Sequence, residues 1–271
     1  MRFCSLSSGS EGNCQYIEHK NTKILIDAGH SGKRIKELLS LIDINIEDID
    51  AVFVTHEHMD HCKGVGVISR RHNIKVFANE NTFKAMSPFV KKISLENAFQ
   101  FNNGKAFQFK DLFIEPMPIF HDCLGGTSFI IHGGKEKICI ITDTGWISAS
   151  MMEKAQGSDL FYLEANHDLD MLIGGTYTWA QKQRIMSNEG HLSNENAGKV
   201  LSKLLRRKKE KILLAHLSLE NNTPERAKKT VKDLLLGKNL QEGRDYFLEA
   251  APRYLPSNVY EWRKDEDTFN K

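Results

Sequence analysis

The chain has 271 residues, 40% of them hydrophobic and 27% charged, with a net charge of +2, which is the composition of an ordinary soluble globular protein. That length allows a sizeable core in one or two domains, and so small a charge does not by itself argue for a nucleic-acid partner. There is no apolar run of about 18 residues to cross a membrane and no apolar core after Met1 to make a signal peptide, and the five scattered cysteines suit free thiols in a reducing cytoplasm rather than a disulfide framework.

Strand-like segments open the chain at residues 2–6, 14–18 and 23–26. Between the first two lies Ser8-Gly9-Ser10-Glu11-Gly12-Asn13. Its glycines allow a tight turn whose N–H groups cradle an anion, and equally a plain hairpin loop. Ile24-Leu25-Ile26-Asp27 ends an apolar strand on an acid. A helix is predicted over 31–42, where Ser31 can cap and Ile35, Leu38, Leu39 and Ile42 recur at helical spacing.

Ala51-Val52-Phe53-Val54 suits a buried strand and runs directly into Thr55-His56-Glu57-His58-Met59-Asp60-His61. Four good ligand side chains thus stand where a strand ends, on a rigid support. Alternate residues of an extended segment point the same way, so His56 and His58 can converge on one ion. Asp60 and His61, at the turn, point elsewhere and can serve a second. A lone zinc site takes about four protein ligands, or about three plus water. So dense a cluster, with more histidines downstream, fits two ions better than one.

Residues 65–71 read as a helix and 75–78 as a strand, an alternation that indicates an α/β arrangement. Several shorter strands follow over 98–132. Pro118-Ile119-Phe120-His121 ends one of them on a histidine that, taken alone, reads as a core residue. Apolar runs then end on Asp143, on Glu164 with His167 just beyond, and on His216, and Glu189-Gly190-His191-Leu192-Ser193-Asn194 precedes the last of these. Ser193 can cap a helix whose stripe is Ala197, Val200, Leu201, Leu204 and Leu205. The same stretch carries Lys199, Lys203, Arg206, Arg207, Lys208, Lys209 and Lys211 against Glu210, either a solvated face or a contact surface for phosphates. Thr223 and Pro224 open a last helix with Ala227, Val231, Leu234 and Leu235 inward, and the tail from Pro252 gives no element by its pattern.

The heptad from Thr55 to His61 is the signature of the metallo-β-lactamase fold superfamily, which the chain resembles from end to end. The 8–13 loop and the 219–224 stretch look like one branch of it, the YycJ/WalJ-type hydrolases of Gram-positive bacteria. The resemblance implies an α/β fold, a four-layer αββα sandwich of two mixed sheets with helices on the outer faces and metals at one edge. It implies a single domain over 1–271 whose halves meet near residue 133. Too few residues separate Asp143 from His216 for the inserted domain of the RNase J and CPSF-like nucleases.

By the same likeness His121 joins His56 and His58 around one ion, His216 joins Asp60 and His61 around the other, and Asp143 bridges them. Asp27 matches an acid that supports the metal loop without ligating. Cys62 and Cys123 are soft ligands by chemistry but match no ligand position of this branch. Glu164 and His191 resemble motifs of tRNA-processing phosphodiesterases, which makes His191 the proton donor and Glu164 its orienting partner. With Asp60 they form the expected catalytic set. Ser10 and Asn13 are expected at the substrate, and His167 either lines the pocket or caps the segment after it.

The implied function is a dinuclear metal-dependent hydrolase, a phosphodiesterase or nuclease whose metal-bridging hydroxide attacks phosphorus. Its expected ions are zinc or manganese, with iron also accepted, and its expected substrate is DNA, trimmed 5′ to 3′ during repair. No membrane partner and a cytoplasmic location are expected. Rival readings are hydrolysis of a lactone, thioester or small cyclic phosphodiester at the same site, and a metal-stabilised regulatory protein with weak turnover.

Overall fold

In the computed structural model, which describes residues 1–262, the side-chain alternation of the first strands decides how they lie. β1 (Arg2–Ser7), β2 (Cys14–His19) and β3 (Thr22–Ile26) form an antiparallel meander. Phe3, Ile17, Ile24 and Ile26 face one core layer, while Cys4, Leu6, Tyr16 and Leu25 face another. Parallel strands are then added through helical crossovers: α1 (Gly32–Ser40), β4 (Ala51–Phe53), α2 (Met59–Cys62), α3 (Val65–His72), β5 (Lys75–Asn79), α4 (Glu80–Val90) and β6 (Ala98–Phe101). Phe53 stacks on Phe77 at 4.6 Å and Phe77 on Phe99 at 4.9 Å, tying these three strands together across their ladder.

The second sheet begins with the meander β7 (Phe107–Phe109), β8 (Leu112–Pro118), β9 (Thr127–Gly133) and β10 (Glu136–Ile141). It continues in parallel through α5 (Ala149–Ala155), β11 (Leu160–Glu164), α6 (Leu169–Gly174), α7 (Trp179–Met186), α8 (Asn194–Leu204), β12 (Glu210–Ala215), α9 (Pro224–Leu236) and β13 (Tyr246–Ala250). β14 (Tyr260–Glu261) returns to pair with β1. The spatial orders are β14-β1-β2-β3-β4-β5-β6 and β13-β12-β11-β10-β9-β8-β7.

Three apolar cores separate four layers. One, with Phe3, Phe53, Phe129 and Tyr162, fills the space between the sheets. A second lies under α1 and α3, and a third under α5, α8 and α9. This is the expected αββα sandwich. The expected caps form: Ser31, Ser193 and Thr223 each accept a backbone N–H in the first turn of α1, α8 and α9. The chain changes sheets at residues 102–106, whereas residue 133 sits at the hairpin between β9 and β10. Of the tail from Pro252, residues 252–262 supply β14 and the rest lies outside the described residues. Among the described residues all five cysteines are free, and no helix is long and apolar enough to cross a membrane.

Strand direction positions the site. β1, β3 and β4 run one way in the first sheet, and β8, β10, β11 and β12 share one direction in the second. Ser8, Asp27, His56, His121, Asp143, Glu164 and His216 all stand at or just past the C-terminal ends of these strands. In α/β sheets that end, where loops diverge, is where a crevice opens.

Candidate metal centre

The site is built from two triads that share a carboxylate. His56, His58 and His121 bring ligand atoms within 4.8 Å of one another, and so do Asp60, His61 and His216. His56 Nε2 lies 3.1 Å from His58 Nδ1, as their alternation in an extended segment predicts. Asp60 and His61 belong to α2, the single turn that follows, and join His216 in the second triad. Asp143 reaches both triads: it lies within 4.8 Å of ligand atoms of His56 and His61, and its Oδ2 and Oδ1 stand 3.4 Å from His61 Nε2 and His216 Nε2.

Two buried carboxylates orient the imidazoles from behind. Asp27 accepts from the Thr55 backbone N–H at 2.8 Å, from the Thr55 hydroxyl at 2.8 Å and from His61 Nδ1 at 2.7 Å. That bond places the His61 proton on Nδ1 and turns Nε2 toward Asp60 and Asp143, where an ion could be held. Glu164 is the counterpart in the second sheet. Its Oε1 lies 2.7 Å from His191 Nδ1 and 3.2 Å from His216 Nδ1, while Oε2 accepts the Thr144 and Leu192 backbone N–H groups at 3.1 Å each. Glu164 therefore holds both His191 and His216, a double role beyond the orienting of His191. His121 Nδ1 lies 3.2 Å from the Gly190 carbonyl, which again frees Nε2.

Backbone strain shapes the same edge. Asp27, Asp143 and His216 have φ of 60°, 55° and 52°, the left-handed region that non-glycine residues rarely enter. His216 is held there at both its peptide groups: its N–H donates to Ser8 Oγ at 2.9 Å, and its carbonyl accepts from Asn166 Nδ2 at 2.9 Å. Ser8 Oγ also accepts from the Tyr162 hydroxyl at 2.7 Å, so a fully buried tyrosine of β11 reaches across the sandwich to brace the loop after β1.

The electrostatics favour cations. Burial, then the neighbouring imidazoles, push His56 well below its ordinary pKa and keep it neutral. For His216 burial acts the same way, but Asp143, Asp60 and Glu164 outweigh it and carry the group up to about 10. Burial likewise opposes ionisation of Asp60 and Glu164, yet their histidine partners hold both well below the usual carboxylate range. The residues fit divalent ions: the donor set is nitrogen and oxygen at tight spacing, and Asp143 Oδ2, fully buried, has no hydrogen-bond partner.

The structure brings His56, His58, Asp60, His61, His121, Asp143, His216, Glu164 and His191 together. Ser10 lines a pocket of about 480 Å³ that opens onto His191 and His216 between α7 and the 217–220 loop. Asn13, expected at the substrate, is 2% exposed and turned into the protein instead. Its backbone N–H donates to the Asp60 carbonyl at 2.7 Å and its side-chain amide lies 3.2 Å from Asp60 Oδ2, so it braces a ligand. His167 is 1% exposed and does not line the pocket; its Nδ1 is buried without a partner, and Asn166 takes the lining position. Cys62 donates to the Glu57 carbonyl, and burial lifts the Cys62 and Cys123 thiols to about 12, far from ligating thiolates. Sequence reasoning assigned no role to Ser8, Thr55, Tyr162 and Asn166: Ser8 and Tyr162 act through a contact between the sheets, Thr55 and Asn166 through contacts with a neighbouring strand end, and Ser8 and Thr55 alone lie within a motif that could have signalled them.

A profile of the Metallo-beta-lactamase superfamily matches residues 8–216. The chain is 36% identical to the exodeoxyribonuclease YycJ of Bacillus anthracis over 259 residues, 96% of this chain and 98% of that one. It is 39% identical to the exodeoxyribonuclease WalJ of Streptococcus pneumoniae over 247 residues, 90% of this chain and 92% of that one. Among solved structures it shares its fold with YhfI from Bacillus subtilis, at TM-score 0.70 and 15% identity, covering 94% of this chain and 98% of that one. The short form of human tRNase Z aligns at TM-score 0.63 and 14% identity, covering 96% of this chain and 100% of that one.

Proposed function

The chain belongs to the metallo-β-lactamase superfamily and, within it, to the YycJ/WalJ group, and from that premise we propose that it is a dinuclear metal-dependent exodeoxyribonuclease that trims DNA from 5′ ends. The whole chain, residues 1–271, is read as one catalytic domain. The observation that carries the proposal is Asp143, a buried carboxylate set between two ligand triads with one oxygen unpartnered. Zinc, manganese or iron all suit such a nitrogen and oxygen donor set.

Two divalent ions bound there supply Lewis acidity, which makes water a nucleophile near neutral pH and stabilises charge on the phosphoryl oxygens. The chain's own groups do the rest. Glu164 holds the His191 proton at Nδ1 and orients the ring, leaving Nε2 to protonate the departing sugar oxygen. Ser10, on the rim of the pocket, offers its hydroxyl to a phosphate oxygen. Asp27, Asn13 and Ser8 hold ligands in place and touch no substrate.

The test assays zinc- and manganese-loaded protein on end-labelled duplex DNA, RNA, bis(p-nitrophenyl) phosphate and a thioester. Release of nucleotides from 5′ ends of DNA, lost in His191→Ala at unchanged metal content, is the expected result. Hydrolysis of the thioester without any diester cleavage refutes the nuclease reading, and unchanged turnover in His191→Ala removes the proton donor.

A further inference from the structure

The basic stretch that begins on α8 and runs on toward β12 has no part in the chemistry above, and its cations are not all placed alike. Arg206 donates to Gln156, and Lys208 donates to the Gly157 carbonyl and faces Asp159, at the far end of β12 from the metal centre. Lys199 and Lys203 instead stand one helical turn apart on exposed α8, and neither has an ion-pair partner among the described residues. They rim a cleft of about 230 Å³ whose walls include Trp146, Met152, Leu192 and Asn196 and which no carboxylate lines. By contrast, the pocket over the metal centre carries both Glu11 and Glu220.

Two residues of the cleft lie one and three positions along the chain from reacting side chains. Leu192 directly follows His191 and gives its N–H to Glu164, and Trp146 lies three residues past Asp143. The Trp146 ring meets Phe120 edge-on at 4.9 Å, and Phe120 immediately precedes His121. That contact fixes the indole, while 48% of the residue remains exposed. An aromatic platform with flanking cations is what a nucleic-acid strand takes: every base has a face to stack, and phosphates follow at regular spacing. The volume is below that of a pocket enclosing a whole drug-sized ligand, about 300 Å³ and upward, so it admits one base rather than a complete small substrate.

We propose that this cleft is a strand-binding subsite: Trp146 stacks a nucleobase next to the scissile phosphate, and Lys199 and Lys203 contact the phosphates that follow. The proposal rests on the nuclease reading and names where that substrate's strand leaves the metal centre.

Two measurements separate the subsite from the activity. In metal-free protein, a single-stranded oligonucleotide is titrated while Trp146 emission is followed, with Trp146→Phe as the reference for the signal of the other tryptophans. Quenching that disappears in Trp146→Phe is expected, and Lys199→Ala/Lys203→Ala should flatten the salt dependence of binding by about 1.4 in log–log slope, at about 0.7 per single-strand phosphate contact. In metal-loaded protein, Trp146→Ala should lower the ratio of oligonucleotide to bis(p-nitrophenyl) phosphate kcat/KM about tenfold, and Trp146→Phe should restore most of it. A ratio changed less than threefold, or binding that leaves Trp146 emission and the salt slope as they were, overturns the subsite. Wild-type protein that cleaves neither diester refutes the nuclease reading instead, and the emission titration still decides whether the cleft binds a strand.

Discussion

Replacing Glu164 by glutamine tests the site at the group on which most of it converges. The carboxylate accepts four hydrogen bonds, two from backbone N–H groups and two from imidazoles. Glutamine keeps the volume but has one acceptor oxygen. If its NH₂ faces Thr144 and Leu192, two buried backbone donors lose their partner, at about 1–3 kcal/mol each. If it faces the imidazoles, His191 and His216 must shift their protons to Nε2, and His216 then points an N–H at Asp60 and Asp143, where it should ligate. The second arrangement disables His216 directly, the first loosens the backbone beside Asp143 and His191, and neither touches His56 or His58. Expected results are a stability loss of about 3 kcal/mol, a 10- to 100-fold weaker second ion and turnover reduced by roughly 10²–10⁴. Calorimetric titration of metal-free protein with Zn²⁺ resolves the two sites, and bis(p-nitrophenyl) phosphate reports turnover. Second-site affinity and turnover both within threefold of wild type would refute the reasoning.

Asp27→Ala strands the Thr55 N–H and hydroxyl and His61 Nδ1 in a buried place, and should cost about 3–5 kcal/mol; a Tm lowered by less than about 5 °C contradicts it. Ser8→Ala removes the acceptor of the His216 N–H and should weaken the Asp60–His61–His216 ion about tenfold while sparing the three-histidine ion. Equal weakening of both would mean general loosening instead. Burial lowers His167 from its ordinary 6.5 to about 4. The unfolded chain therefore binds more protons between those values, and the stabilisation from neutral His167 is complete above pH 6.5 and lost as pH falls through 4. The shift corresponds to about 3 kcal/mol, so urea unfolding across pH 4–7 should show a steeper acid limb than in His167→Leu, and parallel limbs would remove the claim.

The layers were legible from short-range patterns, whereas the grouping of His121, Asp143 and His216 with the Thr55–His61 heptad came from the family resemblance. Apolar runs ending on Asp27, Asp143, Glu164 and His216 mark strands whose last residues meet at one edge, and the helical stripes of α1, α8 and α9 lie inward as their spacing predicts. Other elements left no such trace. α7 is polar on nearly every side and buries only Lys182, which donates to the Ile173 and Gly175 carbonyls, so no apolar period announces it. α4 carries Pro88 inside the helix, a residue that ordinarily ends one. β13 is an edge strand with Phe247 exposed. Asn13 was misplaced for a different reason. A polar residue beside glycines reads as a ligand contact, and nothing local shows that Asp60, far along the chain, comes back to take its hydrogen bonds.

What local pattern cannot show is how the two sheets are locked in register at the site, and this decides whether the ligands form one cluster. The first sheet contributes His56, His58, Asp60 and His61, and the second His121, Asp143 and His216. Each sheet orients its own histidines with its own buried acid, Asp27 on one side and Glu164 on the other. Those contacts fix directions within a sheet and leave the distance between sheets undetermined. Ser8 and Tyr162 supply a constraint between the sheets, because the hydroxyl of a first-sheet serine accepts from both a second-sheet phenol and the His216 N–H. Tyr162 sits in the inter-sheet core among Phe3 and Phe129, so the packing that stabilises the sandwich also sets the spacing at its metal-binding edge. Fold and site are therefore coupled through buried hydrogen bonds between the sheets, Tyr162 to Ser8 and the Thr127 N–H to the Thr55 carbonyl among them, and the His216 backbone can occupy its strained left-handed conformation because both of its peptide groups are held.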